Sequence, residues 1–133
     1  MKKEIGVIGL GKMGGNMARR LLGKGWMVAG LDRTPGIADT LAAEGLAAAA
    51  THRELVEKLS APRTIWLMVP AGKPVDETLF GENGIADLLS PGDIVIDGGN
   101  SFYKDAVLRG GKLKEQGILF MDVGTSGGPG GAL

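Results

Sequence analysis

Cysteine is absent from the 133-residue chain, which excludes disulfides, thiolate catalysis and the cysteine-rich zinc sites. A single histidine, His52, leaves no histidine cluster for a metal either. Aromatic residues make up only 5% of the sequence, which argues against a base-stacking surface. No charge of either sign is in surplus. Fifteen basic residues stand against 15 acidic ones, so nothing points to a nucleic acid or an anionic membrane as partner. Long apolar runs are missing too, and no segment approaches the length of a membrane span. Gly6, Gly9 and Gly11 interrupt the apolar stretch near the N-terminus, so it does not resemble a signal peptide. A cytoplasmic protein is expected.

Glycine, by contrast, is abundant, at 24 residues, and 44% of the sequence is hydrophobic. The length suits one domain with a real core, and no internal repeat or linker divides it. Short apolar runs alternate with helical periodicity, the pattern of a parallel sheet with crossover helices. Strands are expected at 5–8, 27–31, weakly at 46–50, at 64–69, 94–97 and 118–123. The fourth of these is apolar enough to be buried on both faces.

Helices are expected from Met13 through Leu22, at 36–44, 51–59, 75–79, 85–89 and 103–116. Gly23 and Gly25 end the first. Thr51 and Glu54 have the spacing of a capping box at the third. Gly110 and Gly111 lie inside the last helix, where each costs about 1 kcal/mol relative to Ala, so close packing is expected there. The whole is an α/β fold of the doubly wound Rossmann type, with a mostly parallel six-stranded sheet of order 3-2-1-4-5-6. Its ligand crevice should lie outside the carboxyl ends of strands 1 and 4.

The loops at those ends carry the functional signal. Gly9-Leu10-Gly11-Lys12-Met13-Gly14 matches the dinucleotide fingerprint, a weak match alone in so glycine-rich a chain. Here a strand precedes it, an amphipathic helix follows, and Asp32 ends the next strand. Gly9 would allow the tight turn, Gly11 would admit the pyrophosphate, and Gly14 would let helix and strand pack closely. The helix N-terminus would offer amide donors and partial positive charge.

Asp32-Arg33-Thr34 should set cofactor choice. A carboxylate at Asp32 accepts from a ribose diol and repels a 2′-phosphate, which favours NAD. Arg33 could bind that phosphate, which leaves NADP or dual use open. Strand 4 ends in Val69-Pro70-Ala71-Gly72, strand 5 in Asp97-Gly98-Gly99-Asn100-Ser101 and strand 6 in Gly124-Thr125-Ser126-Gly127-Gly128. Small residues gather on one rim, where glycine permits close approach by a ligand.

In this order, these loops resemble the 6-phosphogluconate dehydrogenase family. The likeness runs through residues 9–21, 68–72, 93–101 and 121–128, and Gly98-Gly99-Asn100-Ser101 is its most specific part. The resemblance implies oxidative decarboxylation of 6-phosphogluconate, a phosphorylated sugar acid, to ribulose 5-phosphate and CO2 in the pentose phosphate pathway. It implies a cofactor site at Gly9, Leu10, Gly11, Lys12, Met13, Gly14, Asp32, Arg33, Thr34, Val69, Pro70 and Ala71. Asn100 would touch both cofactor and substrate, and Ser126, Gly127 and Gly128 the substrate.

In the family the base lysine, the acid glutamate and a helical substrate and dimerisation domain come further on. The expectation for residues 1–133 is therefore a cofactor-binding domain with no catalytic residue of its own, from an enzyme that is a homo-oligomer at full length. Two other readings stay open. One is another β-hydroxyacid dehydrogenase of the 3-hydroxyisobutyrate type, against which the Gly98–Ser101 segment argues. The other is a non-catalytic nucleotide-sensing module. His52, Arg19, Arg20 and Lys24 read as solvated surface residues, Trp26 and Trp66 as packing residues. For Met13, core packing and cofactor contact are equally compatible with the pattern.

Overall fold

Val7, Val28, Ile65 and Val95 each have 0% of their surface exposed and stand in four adjacent strands of one sheet. In the computed structural model, which describes residues 3–34, 36–99 and 103–123, those strands are β1 (Glu4–Ile8), β2 (Met27–Leu31), β4 (Thr64–Leu67) and β5 (Ile94–Asp97). A two-residue β3 (Ala47–Ala48) and β6 (Leu119–Asp122) complete the sheet, whose order is β3-β2-β1-β4-β5-β6. Every pairing is parallel. The expected topology is the observed one.

The helices are α1 (Lys12–Gly23), α2 (Ile37–Ala42), α3 (His52–Glu57), α4 (Lys73–Phe80) and α5 (Tyr103–Glu115). None among the described residues is long and apolar enough to cross a membrane. The period-2 alternation of the strands divides the core into two layers. Ile5, Val7 and Val28 pack with Leu10, Ala18 and Leu41 of the α1–α2 side. Ile8, Ala29, Ile65, Leu67 and Val95 pack with Leu55, Val75, Leu79 and Leu113 of the α3–α4–α5 side.

The first layer lies over β1 to β3 and, among the described residues, reaches β4 only at Trp66, which packs at its edge as expected of a packing residue. The expectation that β4 is fully buried on both faces is corrected to this extent. In β4 only Ile65 and Leu67 are buried, while Thr64 and Trp66 are half-buried. On β6, Leu119 and Met121 are 60% and 52% exposed.

Local chemistry sets the element ends. Gly25, at φ 87, closes α1 by donating to Leu22, while Trp26 donates to Leu21; this is a Schellman cap, whose left-handed residue favours glycine. Thr51 Oγ1 accepts from the Glu54 amide at 3.1 Å. The Glu54 carboxylate reaches back to the amide of Ala50 rather than of Thr51, one residue short of a true capping box.

The expected helix at 85–89 is a single 3-10 turn, Ile85–Asp87, because Ser90 precedes Pro91 and is biased away from helix. Close packing at the glycine pair of α5 is not found. A Cβ on Gly110 would make ordinary contact with Phe120 at 3.5 Å, and one on Gly111 would meet nothing within 4 Å.

Candidate nucleotide site

At the end of β1 the chain must turn between two neighbouring strands, and Gly9 makes that turn at φ 98. Its amide donates to Leu31 of β2, and a Cβ there would strike the Met68 carbonyl at the end of β4. Gly14 is needed for a different reason: the space of its missing side chain is filled by the Gly9 carbonyl, so α1 sits directly on the turn.

Gly11 differs from both. Its φ of −67 suits any residue, yet a Cβ would meet no protein atom within 4 Å. The space it leaves belongs to the cleft. Gly11 also caps α1, which has no capping side chain and no acid in its first turn. The leading amides of the helix and its positive end are thus left to an anion, and the residues present fit a dinucleotide pyrophosphate.

Toward β2 the turn is held by Asp32. One carboxylate oxygen accepts from the Leu10 amide at 2.7 Å and the other from the Thr34 amide at 2.8 Å. The Leu10 side chain is buried in the core at 3% exposure, so only its backbone belongs to the loop. Arg33 and Thr34 are exposed beside it.

Gly9, Gly11, Asp32, Arg33, Thr34, Val69 and Pro70 line one cleft of ≈ 530 Å³. Its far wall adds Ile37, His52, Pro74, Glu77, Thr78 and Glu82, none of which the loop motifs pointed to. His52 is not the solvated residue expected. It is half-buried, with Nδ1 at 2.8 Å from the Asn83 carbonyl. A carbonyl can only accept, so Nδ1 carries the proton. No sequence signal links these two residues. Arg19, Arg20 and Lys24 are exposed as expected, and Arg19 pairs with Glu44 at 3.0 Å.

Toward β4 and β5, a shallower hollow of ≈ 280 Å³ is lined by Gly11, Lys12, Met13, Gly14, Met68, Val69, Pro70, Gly98 and Gly99. Met13 therefore reaches the hollow, half-buried. Ala71 is exposed and lines neither cavity.

The role expected of the β5 glycines changes. A Cβ on Gly98 would lie 2.7 Å from Met68 Sδ and overlap the Trp66 indole, and one on Gly99 would overlap the Val69 carbonyl. These glycines let β5 approach the end of β4, so their space is filled by protein rather than left to a ligand. Asn100, Ser126, Gly127 and Gly128 lie outside the described residues.

Beneath this rim lies a buried charge cluster that the motifs did not predict. Arg109 of α5 is 2% exposed and Asp97 of β5 is 0% exposed. The Arg109 guanidinium donates to Asp76 at 2.8 Å and to the Gly72 carbonyl at 3.1 Å, and its Nη1 stands 3.9 Å from Asp97. The hydrogen bond from Arg109 holds the Asp76 carboxyl below its ordinary value, and the same bond raises the Arg109 guanidinium. Asp122, paired with Asp97 across the β5–β6 ladder, is pushed up by partial desolvation and then by the Asp97 charge.

Parallel topology, glycine turn, uncapped helix and strand-end carboxylate together define a Rossmann-type dinucleotide-binding domain. The family model described as the NAD binding domain of 6-phosphogluconate dehydrogenase matches residues 4–133. The NAD(+)-dependent, decarboxylating 6-phosphogluconate dehydrogenase of Bacillus subtilis is 43% identical over 137 residues, covering 100% of this chain and 29% of that protein.

Among solved structures, Plasmodium falciparum 6-phosphogluconate dehydrogenase superposes with a TM-score of 0.85 at 32% identity, over 97% of this chain and 28% of the other. Mycobacterium tuberculosis 3-hydroxyisobutyrate dehydrogenase gives 0.80 at 29% identity, over 92% of this chain and 40% of the other. The chain belongs to the family of NAD-binding domains of 6-phosphogluconate dehydrogenase. It spans less than half the length of these relatives.

Proposed function

We propose that this chain supplies the nicotinamide-dinucleotide site of an enzyme that oxidatively decarboxylates 6-phosphogluconate to ribulose 5-phosphate and CO2. The observation that carries this reading is Gly11, whose missing side chain opens onto the cleft and onto no protein atom. In this reading Gly9 to Gly14 cradle the pyrophosphate, and Asp32, Arg33 and Thr34 meet the adenosine ribose. Met13, Val69, Pro70 and Ala71 flank the nicotinamide half. Asn100 reaches both cofactor and sugar acid, and Ser126, Gly127 and Gly128 bind the acid. When bound, the nicotinamide accepts the hydride from C3 of the substrate. What this chain contributes is orientation of that ring and of the hydroxyl-bearing carbon.

NAD is the favoured cofactor. Each Asp32 oxygen accepts one amide hydrogen and keeps a lone pair for a ribose hydroxyl. A 2′-phosphate at ~4 Å would be repelled by roughly several kcal/mol at intermediate dielectric. Exposed Arg33 offsets part of this and supports NADP as the second cofactor. The Bacillus relative is named NAD(+)-dependent, while the Plasmodium enzyme was solved with NADP+.

We place the full-length protein in the cytoplasm as a homo-oligomer, with the base lysine and acid glutamate of the family outside these residues. On that basis the 133 residues alone bind nucleotide without turnover. Calorimetric titration tests the site: NADH should bind more tightly than NADPH, and absence of heat with both would overturn the proposal. The likeness to 3-hydroxyisobutyrate dehydrogenase supports a second reading. Thermal protection of the full-length protein by 6-phosphogluconate, but not by hydroxyisobutyrate, separates the two. Turnover by the full-length protein separates enzyme from sensor.

A further inference from the structure

We propose that Arg109 is a positioning residue for the nicotinamide half of the dinucleotide, fixing the rims of β4 and β5 at one spacing. The inference rests on the cofactor site proposed above. With the pyrophosphate over α1 and the adenosine ribose at the end of β2, the other half of the ligand must run toward β4 and β5. Arg109 lies under both of those strand ends. Its Nη2 donates to the Gly72 carbonyl, in the loop that carries Val69 and Pro70. Its Nη1 faces Oδ2 of Asp97 at 3.9 Å, while Oδ1 of Asp97 accepts from the Gly99 amide at 2.9 Å. One guanidinium therefore reaches the first rim directly and the second through Asp97.

Leu67 and Asp97 are register partners, so the two rims leave the sheet at the same level. Burying a cation is costly, and Nη1 is buried with no hydrogen-bond partner among the described residues. An apolar side chain would fill the space at lower cost, and a lysine could not span the fork. The geometry is explained by what the fork holds in place.

The test compares NADH with ADP-ribose, which lacks the nicotinamide ring, by calorimetry on the intact chain. In Arg109→Lys, ADP-ribose affinity should stay within about twofold of wild type while NADH affinity falls about tenfold. Asp97→Asn, which keeps an acceptor for Gly99 but removes the charge facing Nη1, should show the same split and decides the matter if the lysine variant does not fold. Equal losses for both ligands, unchanged NADH affinity in a folded variant, or a wild-type protein that gains nothing from the nicotinamide ring would overturn the role of Arg109. Wild-type protein that takes up neither ligand would instead sink the dinucleotide reading, and this role with it.

Discussion

Asp32 accepts the Leu10 amide at 2.7 Å, joining the end of β2 to the turn after β1 across 22 positions of sequence. The carboxylate that would choose the cofactor therefore also builds the loop that would hold it. Specificity and local order share one side chain, and a substitution there acts on both.

Asp32→Asn can keep only one of the two amide bonds, because its NH2 group faces the other donor. Loss of a hydrogen bond to a charged group costs about 1.5–3 kcal/mol, so the melting temperature should fall. Removing the charge should also shift the NADH-to-NADPH affinity ratio toward NADPH by about tenfold, equivalent to ~1.4 kcal/mol. Paired titrations check this, and an unchanged ratio would show that Asp32 does not discriminate.

The fingerprint glycines should separate folding from binding. Gly14→Ala drives a methyl into the Gly9 carbonyl and should cost about 3 kcal/mol or more. Gly11→Ala meets no protein atom, so only the poorer helix cap remains, about 1 kcal/mol at most. Its nucleotide affinity should nonetheless drop by at least about tenfold. Denaturant melts with calorimetry measure both; normal binding by folded Gly11→Ala would refute the assignment of that space to a ligand.

Acid should weaken the contact between α4 and α5. The folded state holds Asp76 below its unfolded value, so the Asp76–Arg109 pair stabilises the fold above that value. This contribution is lost as pH falls through the lowered folded one. Asp76 is 56% exposed at its side chain, and solvent screening keeps the effect small. Asp76→Asn should be less stable at neutral pH and lose less stability on acidification than wild type. Asp122, shifted the other way, should give the opposite sign: Asp122→Asn gains slightly at neutral pH. Urea melts at a series of pH values test both.

Gly98 and Gly99 should respond differently to a compensating change. Gly98→Ala collides with the Trp66 and Met68 side chains and should cost about 1–3 kcal/mol. Trp66→Leu should recover part of that loss, with a coupling of about 0.5 kcal/mol or more in a double-mutant cycle. Gly99→Ala meets the Val69 backbone, which no side-chain replacement can move. Strict additivity at Gly98 would contradict the packing described.

Periodicity carried most of the architecture. Met27–Leu31 and Ile94–Asp97 were legible to the residue, because each is an apolar run between clear turn residues. β4 is fully buried on one face and half-buried on the other, because apolar composition does not tell how far a helix layer extends; Trp66 packs at the edge of the α1–α2 layer. At the site, spacing pointed to Gly9, Gly11, Gly14 and Asp32. It could not pair His52 with Asn83 or Arg109 with Asp76, contacts separated by 31 and 33 positions. Nor could it tell a glycine that leaves room for a ligand from one, like Gly98, that leaves room for its own neighbouring strand.

The position of Trp66 gives the protein a built-in optical reporter. Its indole donates to Met68 Sδ at 2.8 Å and presses against Gly98, beneath the rim where the nicotinamide ring would rest. The only other tryptophan, Trp26, follows α1 at the opposite end of β2. Reduced nicotinamide absorbs where indole emits, so quenching of Trp66 emission would register arrival of the ring itself. Trp26→Phe would leave Trp66 as the single indole emitter, with no label attached.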